Sequence, residues 1–203
     1  MDVMEAIQKR RSIRRYKAEA IPDDVLERLL NAMRLAPSGK NTQPWKFIVV
    51  RDKTVKSRVA EALNWRTPEG KVVSQSWADG APVIIVGCAF EKQAAVRYYK
   101  EGEVVTAHWA AFEAELAHGP IDYESAAFYD LTIALDHLTL AAAAEGLGTC
   151  WIGGLNEGQL KEILAIPGDV RAPLAVVVGY PVSWPEARPR KALNQIVCFD
   201  KYS

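Results

Sequence analysis

The sequence predicts a domain that mixes α-helices with β-strands. Apolar residues recur at helical spacing through residues 25–33, 54–63 and 126–145. Among them stand short runs at residues 46–50, 83–86 and 174–178, β-branched and too short for ordinary helices. A chain of 203 residues suits one domain, because a domain of that length buries most of the surface its unfolded form exposes.

The charge balance narrows the function classes. Lys and Arg total 25, as do Asp and Glu, so no global field attracts nucleic acid or an anionic membrane. Any anion site must come from local clustering. Cys88, Cys150 and Cys198 are odd in number and far apart, which argues against a disulfide framework or a zinc site and for free thiols in a reducing compartment. The first residues lack a basic region followed by an apolar one, and no apolar stretch nears the ~20 residues of a membrane helix. The expectation is a cytoplasmic protein.

The elements follow in order. Asp2 and Glu5 have the spacing of a capping box, and Val3, Met4 and Ile7 follow at helical intervals. This short helix should end near the basic residues 10–15. Ile21-Pro22-Asp23-Asp24 reads as a second helix start, with proline and acids in its first turn. Val25, Leu26, Leu29, Leu30 and Met33 give that helix its apolar stripe, and Pro37-Ser38-Gly39 stops it. Residues 46–50 read as a strand and 54–63 as an amphipathic helix. Residues 66–79 carry mixed signals and read as a loop or short helix. Residues 83–86, after Pro82, read as a strand buried on both faces.

Residues 104–116 read as a helix carrying aromatic side chains, broken by His118-Gly119-Pro120. Residues 126–145 form the longest helical pattern. It is apolar on most of its surface, so the helix should be central, buried on several sides or shared with a partner. Residues 146–154 read as a glycine-loosened loop, 159–164 as a short helix and 174–178 as a second buried strand. Residues 181–189 form an irregular, proline-rich connection, and 196–199 an extended C-terminal arm.

Four segments carry possible chemistry. Arg10, Arg11, Arg14 and Arg15 surround Ser12 at a helix end. Arginine forks suit phosphate oxygens, though a solvated basic helix end has the same pattern. The run from Ala36 to Trp45 sets Ser38, Asn41 and Gln43 between two prolines, which suits either a flat ligand with a polar edge or a capped helix-to-strand turn. The run from Glu145 to Gly154 lets backbone approach a ligand closely, or is a helix C-cap turning into a strand. It follows a helix, so it is not the dinucleotide GxGxxG fingerprint. Arg188, Arg190 and Lys191 form a second basic cluster, which either converges with the first on one dianion or is solvated surface.

Together and in this order, these segments resemble the nitroreductase family of FMN-binding flavoenzymes. The similarity spans nearly the whole chain. It implies an α+β fold with a central, mostly antiparallel sheet flanked by helices, in a homodimer with FMN at each end of the interface. On this chain the resemblance places Arg10, Arg11, Ser12 and Arg14 at the ribityl phosphate and the pyrimidine edge of the flavin, with Arg190 and Arg188 or Lys191 completing the phosphate site. It brings Pro37, Ser38, Gly39 and Asn41 to the flavin from the other subunit. Trp151, Ile152, Gly153 and Gly154 would line one face of the ring, with a Gly153 or Gly154 N–H near N5. Asn64 corresponds to a pyrimidine contact. Many relatives carry an acidic residue where this chain has Gly153. Residues 97–125 match no family motif and fall where the family covers its substrate face. Tyr98, Tyr99, His108, Trp109, Phe112 and Tyr123 there would either stack on a flat substrate or pack ordinary helices.

The resemblance implies ping-pong chemistry. NADH or NADPH gives a hydride to flavin N5, and a nitroaromatic, quinone or other small aromatic acceptor then takes its place. The cofactor carries the reaction, which accounts for the lack of a catalytic triad or carboxylate pair, and nearby cations favour the anionic reduced flavin. His108, His118 and His137 have no ligand spacing and read as structural. Relatives of this fold also suggest reductive dehalogenation or oxygen-dependent breakdown of the flavin. A non-enzymatic flavin-binding redox module is a third reading.

Overall fold

The computed structural model describes residues 1–91, 97–100, 103–106 and 123–202. Helix α1 (Val3–Lys9) begins at the capping box: the Asp2 carboxylate accepts the Glu5 N–H at 2.8 Å and Glu5 accepts the Asp2 N–H at 3.0 Å. Helix α2 (Asp23–Arg34) starts after Pro22 with Asp23 and Asp24 in its first turn, and buries Leu26, Leu29 and Met33. Strand β1 (Trp45–Val50) leads to α3 (Lys53–Ala62), whose N-terminus is capped by the Asp52 carboxylate on the Val55 N–H at 2.9 Å.

Residues 66–79 do not form one loop or helix. Strands β2 (Trp65–Arg66) and β3 (Val72–Val73) make a short hairpin, followed by a 3-10 turn at Ser76–Gly80. Strand β4 (Val83–Ala89) is buried at every residue. Strands β5 (Arg97–Lys100) and β6 (Glu103–Thr106) pair antiparallel. The expected helix over 104–116 is therefore a strand at residues 104–106; its remainder, with His108, Trp109 and Phe112, lies outside the described residues, as does the expected break at His118. Helix α4 (Tyr123–Ala144) ends at Gly146, which supplies the left-handed φ of +77° that a C-terminal turn needs.

Strand β7 (Gly148–Ile152) then replaces the expected glycine loop, so residues 145–154 take the C-cap-into-strand reading. Helix α5 (Glu157–Leu164) is capped by Asn156, and β8 (Arg171–Gly179) completes the described sheet. Residues 196–199 join no ladder among the described residues; a 3-10 turn at Leu193–Gln195 precedes them and their side chains are exposed.

The sheet order is β1-β4-β8-β7 and every pair is antiparallel. Its two faces are covered separately. Val83, Ile85, Leu174, Val176 and Val178 pack towards α2 and α4, while Ile84, Val86, Ala175 and Val177 pack towards α3 and α5. The continuous apolar runs thus report burial of both faces, as expected, although the strands are not parallel. Helix α4 crosses β4 at Gly87, where an added Cβ would lie 2.9 Å from Leu131 Cδ1 and 3.2 Å from Leu135 Cδ1.

Not all apolar stripes are covered. On α1 only Ala6 is buried, and Val3, Met4 and Ile7 face outwards. On α4, Leu131, Leu135 and Leu138 are buried, while Phe128, Tyr129 and Ile133 are exposed. No described helix is long and apolar enough to cross a membrane.

Candidate active site

The basic N-terminal segment is held along the free edge of the sheet. After Arg10 ends α1, the chain extends and the Ile13 N–H donates to the Thr149 carbonyl on β7 at 2.8 Å. Ile13 is buried beneath Gly148, where an added Cβ would overlap the Ile13 side chain, so this register requires glycine at 148. Alternation along the extended segment then turns Ser12 and Arg14 outwards. Arg11 donates from Nη1 to the carbonyls of Gln8 at 2.5 Å and Arg10 at 2.8 Å, closing the helix end. Its Nε is buried and has no hydrogen-bond partner among the described residues.

The far end of the chain returns to the same place. Tyr16 bridges Pro181, the Lys17 N–H donates to Tyr180 O at 2.8 Å, and the Val182 N–H donates to Arg15 O at 3.0 Å. The Lys9 ammonium sits 5.6 Å from the centre of the Trp184 ring. A cavity of about 780 Å3 results, lined by Arg10, Arg11, Ser12, Arg14, Arg188 and Arg190, with Glu186 at its wall. The two basic clusters therefore converge on one cavity, where Arg14, Arg188 and Arg190 remain exposed. Lys191 does not line this cavity. None of the five arginines has a carboxylate within salt-bridge distance among the described residues.

A second cavity, of about 760 Å3, contains Gly153, Gly154, Asn64, Trp65 and Arg66. Gly154 lies directly against the Trp65 indole; a Cβ there would be 2.5 Å from Nε1. Gln75, which nothing in the sequence singled out, ties the walls together. Its side-chain amide donates to Leu63 O and Gly154 O, each at 2.7 Å, and its N–H donates to Asn64 Oδ1 at 2.6 Å. Two residues on, the Trp77 ring lies 5.8 Å from the Arg14 guanidinium carbon, so residues 75–77 link the two cavities. Trp151 and Ile152 line neither. Trp151 packs against the α2/α4 core and Ile152 is buried on the α3/α5 side, so Ile152 offers a ligand only its main chain.

The 36–45 loop also lines neither cavity within the chain. Ser38 Oγ accepts the Gln43 N–H at 2.9 Å, and Lys40, Asn41 and Gln43 have φ of 52°, 57° and 48°. Gly39 donates its N–H to Asp130 on α4, 3.2 Å from each carboxylate oxygen, and the buried Thr42 hydroxyl has no partner.

Nearby titratable groups are structural in character. Burial pushes the Tyr16 phenol far up, so it remains a neutral donor to Ile13 O at 2.6 Å. Burial also raises the Cys150 thiol against the pull of Arg14, and raises Cys88 to about 11, so neither is a ready thiolate. His137 sits with Nδ1 3.3 Å from Ala32 O, and no group of candidate metal ligands occurs among the described residues.

A sequence profile of the Nitroreductase family matches residues 7–180. The chain belongs to the nitroreductase family. It is 31% identical to an NADH dehydrogenase of Thermus thermophilus, covering 97% of this chain and 95% of that one. It is 29% identical to an FMN reductase [NAD(P)H] of Bacillus subtilis, over 93% of this chain and 70% of that one. Mouse iodotyrosine deiodinase 1 is also 29% identical, over 95% of this chain and 67% of the other. Among solved structures, a nitroreductase family protein from Clostridium novyi NT superposes with a TM-score of 0.67 at 31% identity, covering 89% of this chain and 87% of that one.

In this family member, Glu157 anchors the wall of the second cavity to β8. Its Oε1 accepts the Ala172 N–H at 2.7 Å and the Arg171 Nε–H at 3.1 Å, with Lys161 at 3.3 Å. Burial raises its pKa, but Ala172, Arg171 and Lys161 outweigh burial and hold it below the ordinary glutamate value. A lowered folded-state pKa gives stability that is present above the unfolded value and lost as pH falls through the folded one. Glu157→Gln should therefore cost on the order of 1 kcal/mol at pH 7, with the deficit shrinking below about pH 4. Urea unfolding at both pH values checks this; a constant deficit would exclude the charge as its cause.

Proposed function

We propose that this chain is an FMN-dependent oxidoreductase that takes electrons from NADH or NADPH and delivers them to a nitroaromatic, quinone or similar small aromatic acceptor. The observation that carries the proposal is the convergence of five carboxylate-free arginines on one cavity next to a glycine-walled one. FMN fits these two features. Its phosphate dianion suits the forked donors of Arg10, Arg11, Arg14, Arg188 and Arg190 with the Ser12 hydroxyl, and the buried Arg11 Nε lacks an acceptor that such a ligand supplies. Gly153 presents backbone without a side chain to a flat ring, Gly154 beside it is packed on Trp65, and Asn64 stands at the same cavity. Lys191 lies one residue beyond Arg190 and acts only at long range.

Bound FMN supplies the chemistry, accepting a hydride from the nicotinamide and passing the electron pair to the acceptor. The chain's own part is to bind and tune. The arginines hold the phosphate, and Arg14 and Arg66 add positive potential that favours an anionic reduced ring. Pro37, Ser38, Gly39 and Asn41 line neither of these two cavities within the described chain, which is consistent with action on a second subunit. The uncovered Val3, Met4, Ile7, Phe128, Tyr129 and Ile133 support a homodimer that buries them. Donor and acceptor share one position in turn, so kinetics are ping-pong. The buried, reduced thiols of Cys88 and Cys150 suit the reducing cytoplasm.

Reconstituted with FMN and kept free of oxygen, the protein should lose its yellow colour on addition of NADH or NADPH. A flavin that stays oxidised with both nucleotides overturns the proposal. The deiodinase relative favours a second reading, reductive removal of halide from a halogenated phenol. Product analysis with a halogenated phenol and a nitroaromatic in parallel separates the two.

A further inference from the structure

One carboxylate outside both cavities has no role in the reading so far. Asp130 lies on α4, half-buried, and no Lys or Arg stands within salt-bridge distance of it among the described residues. Burial pushes its carboxyl up, and the Gly39 N–H pulls it back. That N–H points between its two oxygens, 3.2 Å from each. A half-buried carboxylate without a cation is costly, so a single amide partner is an unusual arrangement.

The partner loop is equally unusual. Three of its residues with side chains, Lys40, Asn41 and Gln43, adopt left-handed φ values. Such residues persist only where surrounding structure over-determines them, and they gather at ligand clamps. The Thr42 hydroxyl within the loop is buried and has no partner among the described residues. Internal bonds from Asn41 N to Ser38 O and from Thr42 N to Gly39 O, each 3.0 Å, fix the turn's shape. They do not fix where the turn sits. Asp130 from α4 contributes to that, as does β5, which packs beside Gly39–Asn41.

We propose that Asp130 is a positioning residue: by accepting the Gly39 N–H, its carboxylate holds the 38–43 loop where a second subunit's flavin site uses it. This rests on the FMN reading above. The carboxylate touches neither cavity and acts through the loop. Because α4 also carries the exposed Phe128, Tyr129 and Ile133, the tether fixes the loop relative to the face on which a second copy would sit. That charge-assisted hydrogen bond then helps to set the loop's register to that copy.

The test uses the full-length protein with FMN as probe, read by quenching of flavin fluorescence. Asp130→Leu removes the acceptor at similar size, and Asp130→Asn keeps one oxygen to accept the Gly39 N–H. The leucine variant should bind FMN about tenfold more weakly, while the asparagine variant stays within about threefold of the unmodified protein. Hydrogen exchange at the Gly39 amide, in FMN-free protein, should accelerate in the leucine variant and not in the asparagine variant. Unchanged FMN affinity in Asp130→Leu, or equal losses in both variants, overturns the proposal. Asp130→Ala replaces the leucine variant if that one does not fold, since alanine is the best helix former. Failure of the FMN reading shows separately, as absence of quenching by the unmodified protein. In that case unchanged Gly39 exchange in the leucine variant refutes the tether itself, and faster exchange leaves it standing without its flavin role.

Discussion

Arg10→Ala is expected to weaken FMN binding by about 10- to 150-fold, the equivalent of about 1.5–3 kcal/mol for one lost hydrogen bond to a charged group. Arg10 is cleaner than Arg11 or Arg14 for this measurement. Arg11 spends Nη1 on the last carbonyls of α1, so removing it would also loosen the helix end. Arg14 leans on Trp77, so its loss would disturb the segment that joins the two cavities. Arg10 lines the cavity and makes no side-chain bond within the described chain. Two controls locate the effect. Arg10→Lys keeps the charge without the planar fork and should recover only part of the affinity. Riboflavin, which lacks the phosphate, should bind the unmodified protein and Arg10→Ala alike. Equal FMN affinity for the two would remove Arg10 from the site, and an equal loss for riboflavin would move it from phosphate to ring. Added salt should narrow the difference, because part of it is long-range attraction to a cavity rich in positive charge.

What the sequence made legible follows from the range over which each signal acts. The Asp2–Glu5 capping box and the proline start of α2 are local, and both stand as read. The strands at residues 46–50, 83–86 and 174–178 are also present and extended, and at 83–86 and 174–178 two-sided burial leaves an unmistakable apolar run. Residues 148–152 were illegible for the opposite reason. Glycine there signals loose backbone, whereas Gly148 is small because Ile13, far away in sequence, fills the space its side chain would need. Residues 103–106 form a strand against a helical pattern, paired with a neighbour whose presence no periodicity announces. The two arginine clusters were visible singly, but their meeting depends on the Tyr16–Pro181 bridge, a contact without sequence signature. Gln75 and Asp130 were missed altogether. Each does its work through partners remote in the chain, and neither sits in a motif.

The second large effect concerns the packing beneath the site. Leu131→Ala should destabilise the fold by about 2–5 kcal/mol, because a deleted core leucine loses its transfer energy and leaves a cavity. For a chain of this length that corresponds to a fall in Tm of roughly 5–15 °C. The upper half of the range is expected here. Leu131 is fully buried between α4 and β4, and the residue beneath it is Gly87, which has no side chain to move into the void. The same geometry predicts a rescue. Gly87→Ala alone should be destabilising, since its Cβ would lie 2.9 Å from Leu131 Cδ1 and 3.2 Å from Leu135 Cδ1. In the Leu131→Ala background the first of those clashes is gone and the methyl enters the vacated space. The double variant should therefore be more stable than Leu131→Ala, and the coupling should be favourable by about 1 kcal/mol or more. Thermal unfolding of the four proteins at one concentration measures this, the fixed concentration removing any contribution from association. Simple additivity of the two substitutions would show that α4 does not rest on β4 at Gly87, and that its long apolar surface is stabilised elsewhere.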